Sequence, residues 1–202
     1  LASDAYRQRI DWHNTHVFWG DERCVPPDDE QSNYRMAKLA MLDHVPIPAD
    51  HIHRVRGELA PETAAHLYAR EIRAAFDLDA GQFPTFDTIL LGMGPDGHTA
   101  SLFPDSDILE RHEAIVAETW VAKFKQYRIS LTFNAINHAT HTVFLVAGAD
   151  KAPVVKAILH DQQTHYPAAR IKQATWLLDA EAAAEMKHEK TRIADSLSPN
   201  NS

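Results

Sequence analysis

Residues 92–103 read GMGPDGHTASLF and follow FDTILL, a run with the pattern of a buried strand. Three of the chain's seven glycines, Gly92, Gly94 and Gly97, fall within six residues here, with Asp96 between them and His98 directly behind. Glycine after a strand permits positive φ and lets backbone amides approach a ligand closely. The run superficially fits the dinucleotide fingerprint G-x-G-x-x-G. However, Asp96 would turn its charge toward a pyrophosphate, and the chain reaches Pro104 before the required helix can form. The better reading is a rigid turn that aims Asp96 and His98 into a crevice. A histidine there can act as a general base near neutral pH, its orientation held by a carboxylate. The competing reading is a buried histidine that satisfies loop backbone.

Other groups compete for chemical roles. Ser101 lacks the G-x-S-x-G context of a nucleophile elbow. Cys24 is the single cysteine, so no intrachain disulfide exists and a reducing compartment is the simpler setting. Asp21 with Glu22, and Asp28 with Asp29 and Glu30, can be read as metal ligands, but a dense acidic loop is more simply a solvated one. Of the 13 histidines, His13, His44, His51, His53, His66, His112, His160 and His188 lie in polar or loop-like contexts and are expected to be solvated or hydrogen-bonded surface groups.

The elements that must position these groups follow from the hydrophobic pattern. HVFWG (16–20), FDTILLG (86–92), AIVAETWVA (114–122), RISLTF (128–133), HTVFLVAG (141–148) and TWLLD (175–179) read as strands. Ser32 is placed to cap a helix over NYRMAKLAML, and Pro61 suits the first turn of the next. In that second helix Ala65, Tyr68, Ile72, Ala75 and Phe76 share one face. DKAPVVKAILH (150–160) is a helix burying Val154, Val155, Ile158 and Leu159, AEAAAEMKHEK a terminal helix, and SLSPNNS a frayed tail. DERCVPPDDEQS, with adjacent Pro26 and Pro27, reads as a loop.

Strands around Val17, Ile89 and Leu145 are nearly all apolar, as strands buried on both faces are. The expected fold is therefore α/β: a mostly parallel Rossmann-like sheet with helices on both faces, plus a small antiparallel portion. Ligands in such sheets gather beyond the carboxyl ends of the strands. Three loops there, GDER, GMGPDGHTASLF and GADK, all begin with glycine and carry charge.

The 202 residues suit one domain. A net charge of −8 gives little bulk attraction for nucleic acid or anionic membrane, though a local Arg/Lys cluster can still hold a small anion. No apolar run reaches the ~18 residues of a membrane span, and no secretory signal is visible at Leu1.

GMGPDGHTASLFP and HVFWGDERCVPPDDEQSNYRMAKLAMLDHVPIP, with RISLTFNAIN, FLVAGADKAPVVKAIL and TWLLDAEAAA in the expected order, closely resemble the 6-phosphogluconolactonase family from about Ile10 to about Met186. The resemblance implies a cytoplasmic enzyme of the oxidative pentose phosphate pathway. It would hydrolyse 6-phospho-D-glucono-1,5-lactone without cofactor or metal. A sugar-phosphate lactone would be its partner, without nucleic acid or membrane, and the protein would be a monomer or weak homodimer. His98 would be the base, Asp96 or Asp21 its orienting carboxylate, and amides near Gly92, Gly94 and Gly97 the binding turn, with those near Gly94 receiving the oxyanion. Arg128 and Lys151 match basic positions the family uses near the phosphate, and Arg23 is a third candidate. The alternatives are solvated charges for Arg128 and Lys151, and for Arg23 an ion pair with Asp21 or Glu22.

Related glucosamine-6-phosphate deaminases share G-x-D-G-H but continue differently from Thr99–Pro104 here. A deaminase- or isomerase-like enzyme and a non-catalytic sugar-phosphate binding module are the alternative functions. Family members usually begin some tens of residues earlier, with a strand and a glycine-serine loop resembling S-G-G-S-T-P. LASDAYRQRIDW resembles the end of the first helix. The chain is thus expected to be a single lactonase-like domain over residues 1–202, N-terminally truncated relative to the family and lacking a central strand.

Overall fold

A computed structural model describes residues 1–186 of the chain. Its strands are β1 (Val17–Phe18), β2 (Asp21–Arg23), β3 (Ile52–His53), β4 (Thr88–Leu91), β5 (Val116–Val121), β6 (Gln126–Leu131), β7 (His141–Val146) and β8 (Thr175–Leu178). Its helices are α1 (Asp4–Arg7), α2 (Asn33–Ala40), α3 (Pro61–Ala75), α4 (Phe133–Asn137) and α5 (Ala152–Leu159). β1 pairs with β3, and β4 with β7 and β7 with β8, all parallel. β2, β6 and β5 form an antiparallel sheet in that order. The fold is α/β with mostly parallel strands and an antiparallel portion, as expected.

Two strands escape the sequence pattern. β2 lies in the expected loop DERC, because Asp21, Glu22 and Arg23 pair with Ser130, Ile129 and Arg128 of β6. Its polar residues gave no strand signal; the partner strand supplies the order. β3 is only two residues long. The expected strand 128–133 ends at Leu131, where Thr132 caps α4 through its hydroxyl.

Local chemistry fixes the helices. Pro61 occupies the first turn of α3, where its missing N–H is no loss. Ala64, Ala65, Tyr68 and Ile72 form the buried face, whereas Ala75 is exposed and Phe76 half-buried. The Tyr68 hydroxyl accepts from Trp19 N (2.7 Å) and donates to Trp19 O (2.9 Å), which pins α3 to the end of β1. Burial pushes the Tyr68 phenol up from its ordinary pKa, so it stays a neutral donor. α5 buries Val154, Val155 and Ile158, and leaves Leu159 half-buried. Trp176 stacks on Phe144 at 4.0 Å, and Asp179 accepts from Gly148 N and Ala182 N, tying β8 to the loop after β7. Of the expected terminal helix (180–190), residues 180–183 form turns and 184–186 a short 3-10 helix; residues 187–190, His188 among them, and the tail lie outside the described residues.

Burial on both faces is not met in the β4–β7–β8 sheet. Ile89, Leu91, Phe144 and Val146 are buried, but Leu90, Leu145 and Leu177 on the opposite face are 57%, 50% and 55% exposed. The parallel strands also form two separate ladders, with no strand pairing between β1 and β4 among the described residues. Apolar composition here records what the strands are suited to pack against, not what packs on them in this chain. His53, expected at the surface, is buried, stacked on Phe18 at 4.2 Å and bonded to Glu71 and His16.

Candidate active site

The turn after β4 closes on itself. Gly94 N donates to His98 O (2.9 Å) and Gly97 N to Gly94 O (3.0 Å). Gly97 sits at φ +75°, and a Cβ there would meet the Tyr166 ring at 2.4 Å. At Gly94 a Cβ would lie 2.1 Å from His98 Cε1 and Nδ1. The imidazole therefore lies against bare glycine backbone, which no other residue type permits. Asp96 Oδ1 is 2.5 Å from His98 Nδ1, leaving Nε2 as the ring's other functional nitrogen. Burial raises the Asp96 pKa, but the His98 hydrogen bond and charge, aided by Lys123, more than offset it. The carboxyl is held below its usual range.

Asp21 is not at His98. Its carboxylate accepts from Ser101 Oγ (2.7 Å) and from Asn33 Nδ2 (3.1 Å), so it fastens the turn to the start of α2. The neighbouring Glu22 is 2% exposed. Its carboxylate accepts from Arg23 N, Ser32 Oγ, Asn33 N and Tyr34 N, so it holds the first turn of α2 onto β2. Ser32 also caps α2 as expected, accepting from Arg35 N at 3.1 Å.

A cleft of about 590 Å³ opens on this constellation. Gly92, Gly94, His98, Asp21, Arg23 and Arg128 all line it, as do Asn33, Ser101, Phe103 and Phe124. Arg23 and Arg128 are direct cross-strand partners of β2 and β6. Like charges directly opposite on a ladder repel. Neither Arg23 Nε nor Arg128 Nε has a hydrogen-bond partner, although both are buried. Arg23 donates to Gln31 O and makes no ion pair with Asp21 or Glu22 among the described residues. Arg128 is 8% exposed and lies over the Phe124 ring at 5.3 Å. Burial, then the Arg23 charge, lowers its pKa from the usual arginine value. Two crowded, under-bonded guanidiniums are relieved by an anion.

Lys151 is not on the walls of this cleft; its ammonium pairs with Asp150. Gly97 shapes the turn without lining the cleft. The Gly94 amide, expected among the oxyanion donors, is already spent on His98 O, because the turn is too tight to leave it free. Burial pushes the Cys24 thiol up to about 11, which keeps it protonated and inert at neutral pH. Among the described residues, no group of three or more His, Cys, Asp or Glu is placed to hold a metal ion. No helix there is long and apolar enough to cross a membrane. Phe103 and Phe124 were not among the expected site residues; Phe103 lies in the GMGPDGHTASLFP motif, and only the fold brings both rings to the cleft.

Strand-end loops, a histidine–carboxylate pair and a basic wall share one cleft of an α/β fold, an arrangement suited to acid–base chemistry on an anionic ligand. The chain belongs to the family described as glucosamine-6-phosphate isomerases/6-phosphogluconolactonase, which matches residues 1–178. The 6-phosphogluconolactonase of a Synechocystis species is 43% identical over 187 residues, 90% of this chain and 77% of that protein. The crystal structure of the devB protein superposes with a TM-score of 0.84 at 40% identity, covering 92% of this chain and 80% of that one. The 6-phosphogluconolactonase structure from Thermotoga maritima gives 0.72 at 36% identity, covering 84% and 74%.

Proposed function

We propose that this chain is a 6-phosphogluconolactonase, hydrolysing 6-phospho-D-glucono-1,5-lactone to 6-phosphogluconate in the oxidative pentose phosphate pathway. Relatives bearing that name, at about 40% identity over most of the chain, support the reading. The observation that carries it is the meeting of two unlike features in one cleft: the His98–Asp96 pair and the cross-strand arginines.

His98 Nε2 takes a proton from water as the water oxygen bonds to C1 of the lactone. The carbonyl π electrons move onto oxygen, giving a tetrahedral oxyanion. Its collapse breaks the bond from C1 to the ring oxygen, and the imidazolium returns its proton to that oxygen as the leaving hydroxyl. The new carboxylic acid then ionises and releases one proton to solvent. Asp96 fixes the ring and its tautomer and stabilises the imidazolium. Arg128 and Arg23 hold the phosphate dianion. Asp21 keeps the turn seated through Ser101. With this reading go a single lactonase-like domain over 1–202, a cytoplasmic setting, a small-molecule partner only, and a monomer or weak homodimer.

The test is acid release from fresh 6-phosphogluconolactone, measured against the spontaneous background for the chain and its His98→Ala variant. Activity that is lost in a folded His98→Ala protein supports the assignment. A folded parent chain that never exceeds background overturns it.

A further inference from the structure

We propose that Phe103 is a positioning residue of this site, which fixes the plane of the His98 ring and favours its charged form once it has taken the proton from water. This rests on the reading of His98 as the base. The two rings stack with centroids 4.0 Å apart and planes 22° apart. The imidazole also lies against Gly94, where even a methyl group would overlap it. The ring is therefore confined by glycine backbone and by an aromatic face, with Asp96 fixing its rotation from the edge.

The chain makes an effort to place Phe103 there. Leu102 N donates to Thr99 O (2.9 Å), and Thr99 and Leu102 form a bridge, so the turn reverses and returns residue 103 over residue 98. That reversal puts Ala100 at φ +47°, a region disfavoured for a residue with a Cβ. Thr99 Oγ1 on Gly92 O and the fully buried Leu102 anchor the turn. Phe124 meets Phe103 edge-on at 6.1 Å, bracing it from outside. An aromatic face attracts a cation within about 6 Å of its centroid. A charge arising on His98 thus forms against the π face of Phe103, with the Asp96 carboxylate at the ring edge.

The experiment compares the parent chain with Phe103→Leu, Phe103→Tyr and a protein carrying a fluorinated phenylalanine at 103, which keeps the shape but withdraws π density. Two readouts are taken: kcat and KM against pH, and titration of the His98 ring by NMR without substrate. In Phe103→Leu and the fluorinated protein, the acid limb of the rate profile and the ring titration both move to lower pH by about half a unit. In the same two proteins kcat falls roughly two- to fivefold with KM unchanged. Phe103→Tyr stays close to the parent. Lower activity or stability with both titration curves unmoved would make Phe103 a packing residue and overturn the proposal. If Phe103→Leu does not fold, the fluorinated protein decides. The NMR titration needs no lactone, so a shift there in a chain without lactonase activity refutes the function and not the role of Phe103.

Discussion

Replacing Gly94 by alanine should disable the site without unfolding the protein. The added methyl carbon would lie 2.1 Å from His98 Cε1 and Nδ1 and 2.8 Å from Asp96 Oδ1. Unbonded carbon atoms settle at about 3.5 Å or more, so the imidazole must retreat by more than about 1 Å. The ring is also stacked on Phe103, and the Asp96 bond must be broken or rebuilt. Gly94 is not among the glycines at positive φ, so the backbone itself accepts alanine. A misplacement of ~1 Å in a catalytic group costs on the order of a hundredfold, or about 2.7 kcal/mol of barrier. We therefore expect kcat for 6-phosphogluconolactone to fall about a hundredfold. KM should change little, because the cross-strand arginines are untouched. Acid-release kinetics on the variant, alongside far-UV circular dichroism, provide the assay. In the His98→Ala background the same change should add no further loss, since the group it displaces is gone. A folded Gly94→Ala protein with kcat within a few-fold of the parent would refute the idea that bare backbone at 94 sets the position of His98.

Three further outcomes are expected. Arg128→Met should reduce kcat/KM for the phosphorylated lactone by about a hundredfold while sparing the unphosphorylated one. It should also abolish stabilisation of the parent chain by inorganic phosphate in a thermal melt, because the crowded cross-strand charge is removed. Ala100→Gly should raise unfolding stability by about 1 kcal/mol in chemical denaturation, by relieving the Cβ at φ +47°. The Asp96 carboxyl is held below its ordinary value of 3.8, so its stabilising effect is present above about that pH and is lost as pH falls through the lowered folded value. Asp96→Asn should flatten that acid limb of the stability curve and leave the neutral plateau's slope unchanged.

The turn at Gly92–His98 was legible because its signal is local. Three glycines around an aspartate and a histidine can only be a tight turn, and the apolar run before it places that turn at a strand end. Arg128 was legible as a basic position resembling the family's phosphate contacts, or else as a solvated strand-end charge. Its meaning depends on Arg23 lying directly opposite, and that register depends on β2, whose DER sequence has no strand character. Asp21 was one of two carboxylates, with Asp96, expected to orient His98. The actual fold sends its carboxylate to Ser101, 80 residues away in the chain, a pairing no spacing rule contains. Lys151 pairs with Asp150 beside it, a contact that a strand-end position does not reveal because it does not fix a long side chain. Phe103 needed the αL turn at Ala100 to reach His98, and nothing in an alanine announces such a turn.

Glu22 has a consequence for how the molecule is lost as well as how it is held. Its carboxylate belongs to β2, yet three of its four donors come from residues 32–34 at the start of α2. A chain caught with the sheet formed and the helix frayed would keep a desolvated acceptor stripped of its donors, a penalty of at least ~1–3 kcal/mol. The half-open state is thereby depleted relative to both the native and the unfolded ones. On a denaturation curve, turnover and secondary structure should therefore be lost together at one midpoint, with no plateau between them. A protease aimed at the Pro26–Gln31 segment should meet a cleavable chain only in molecules that have opened altogether.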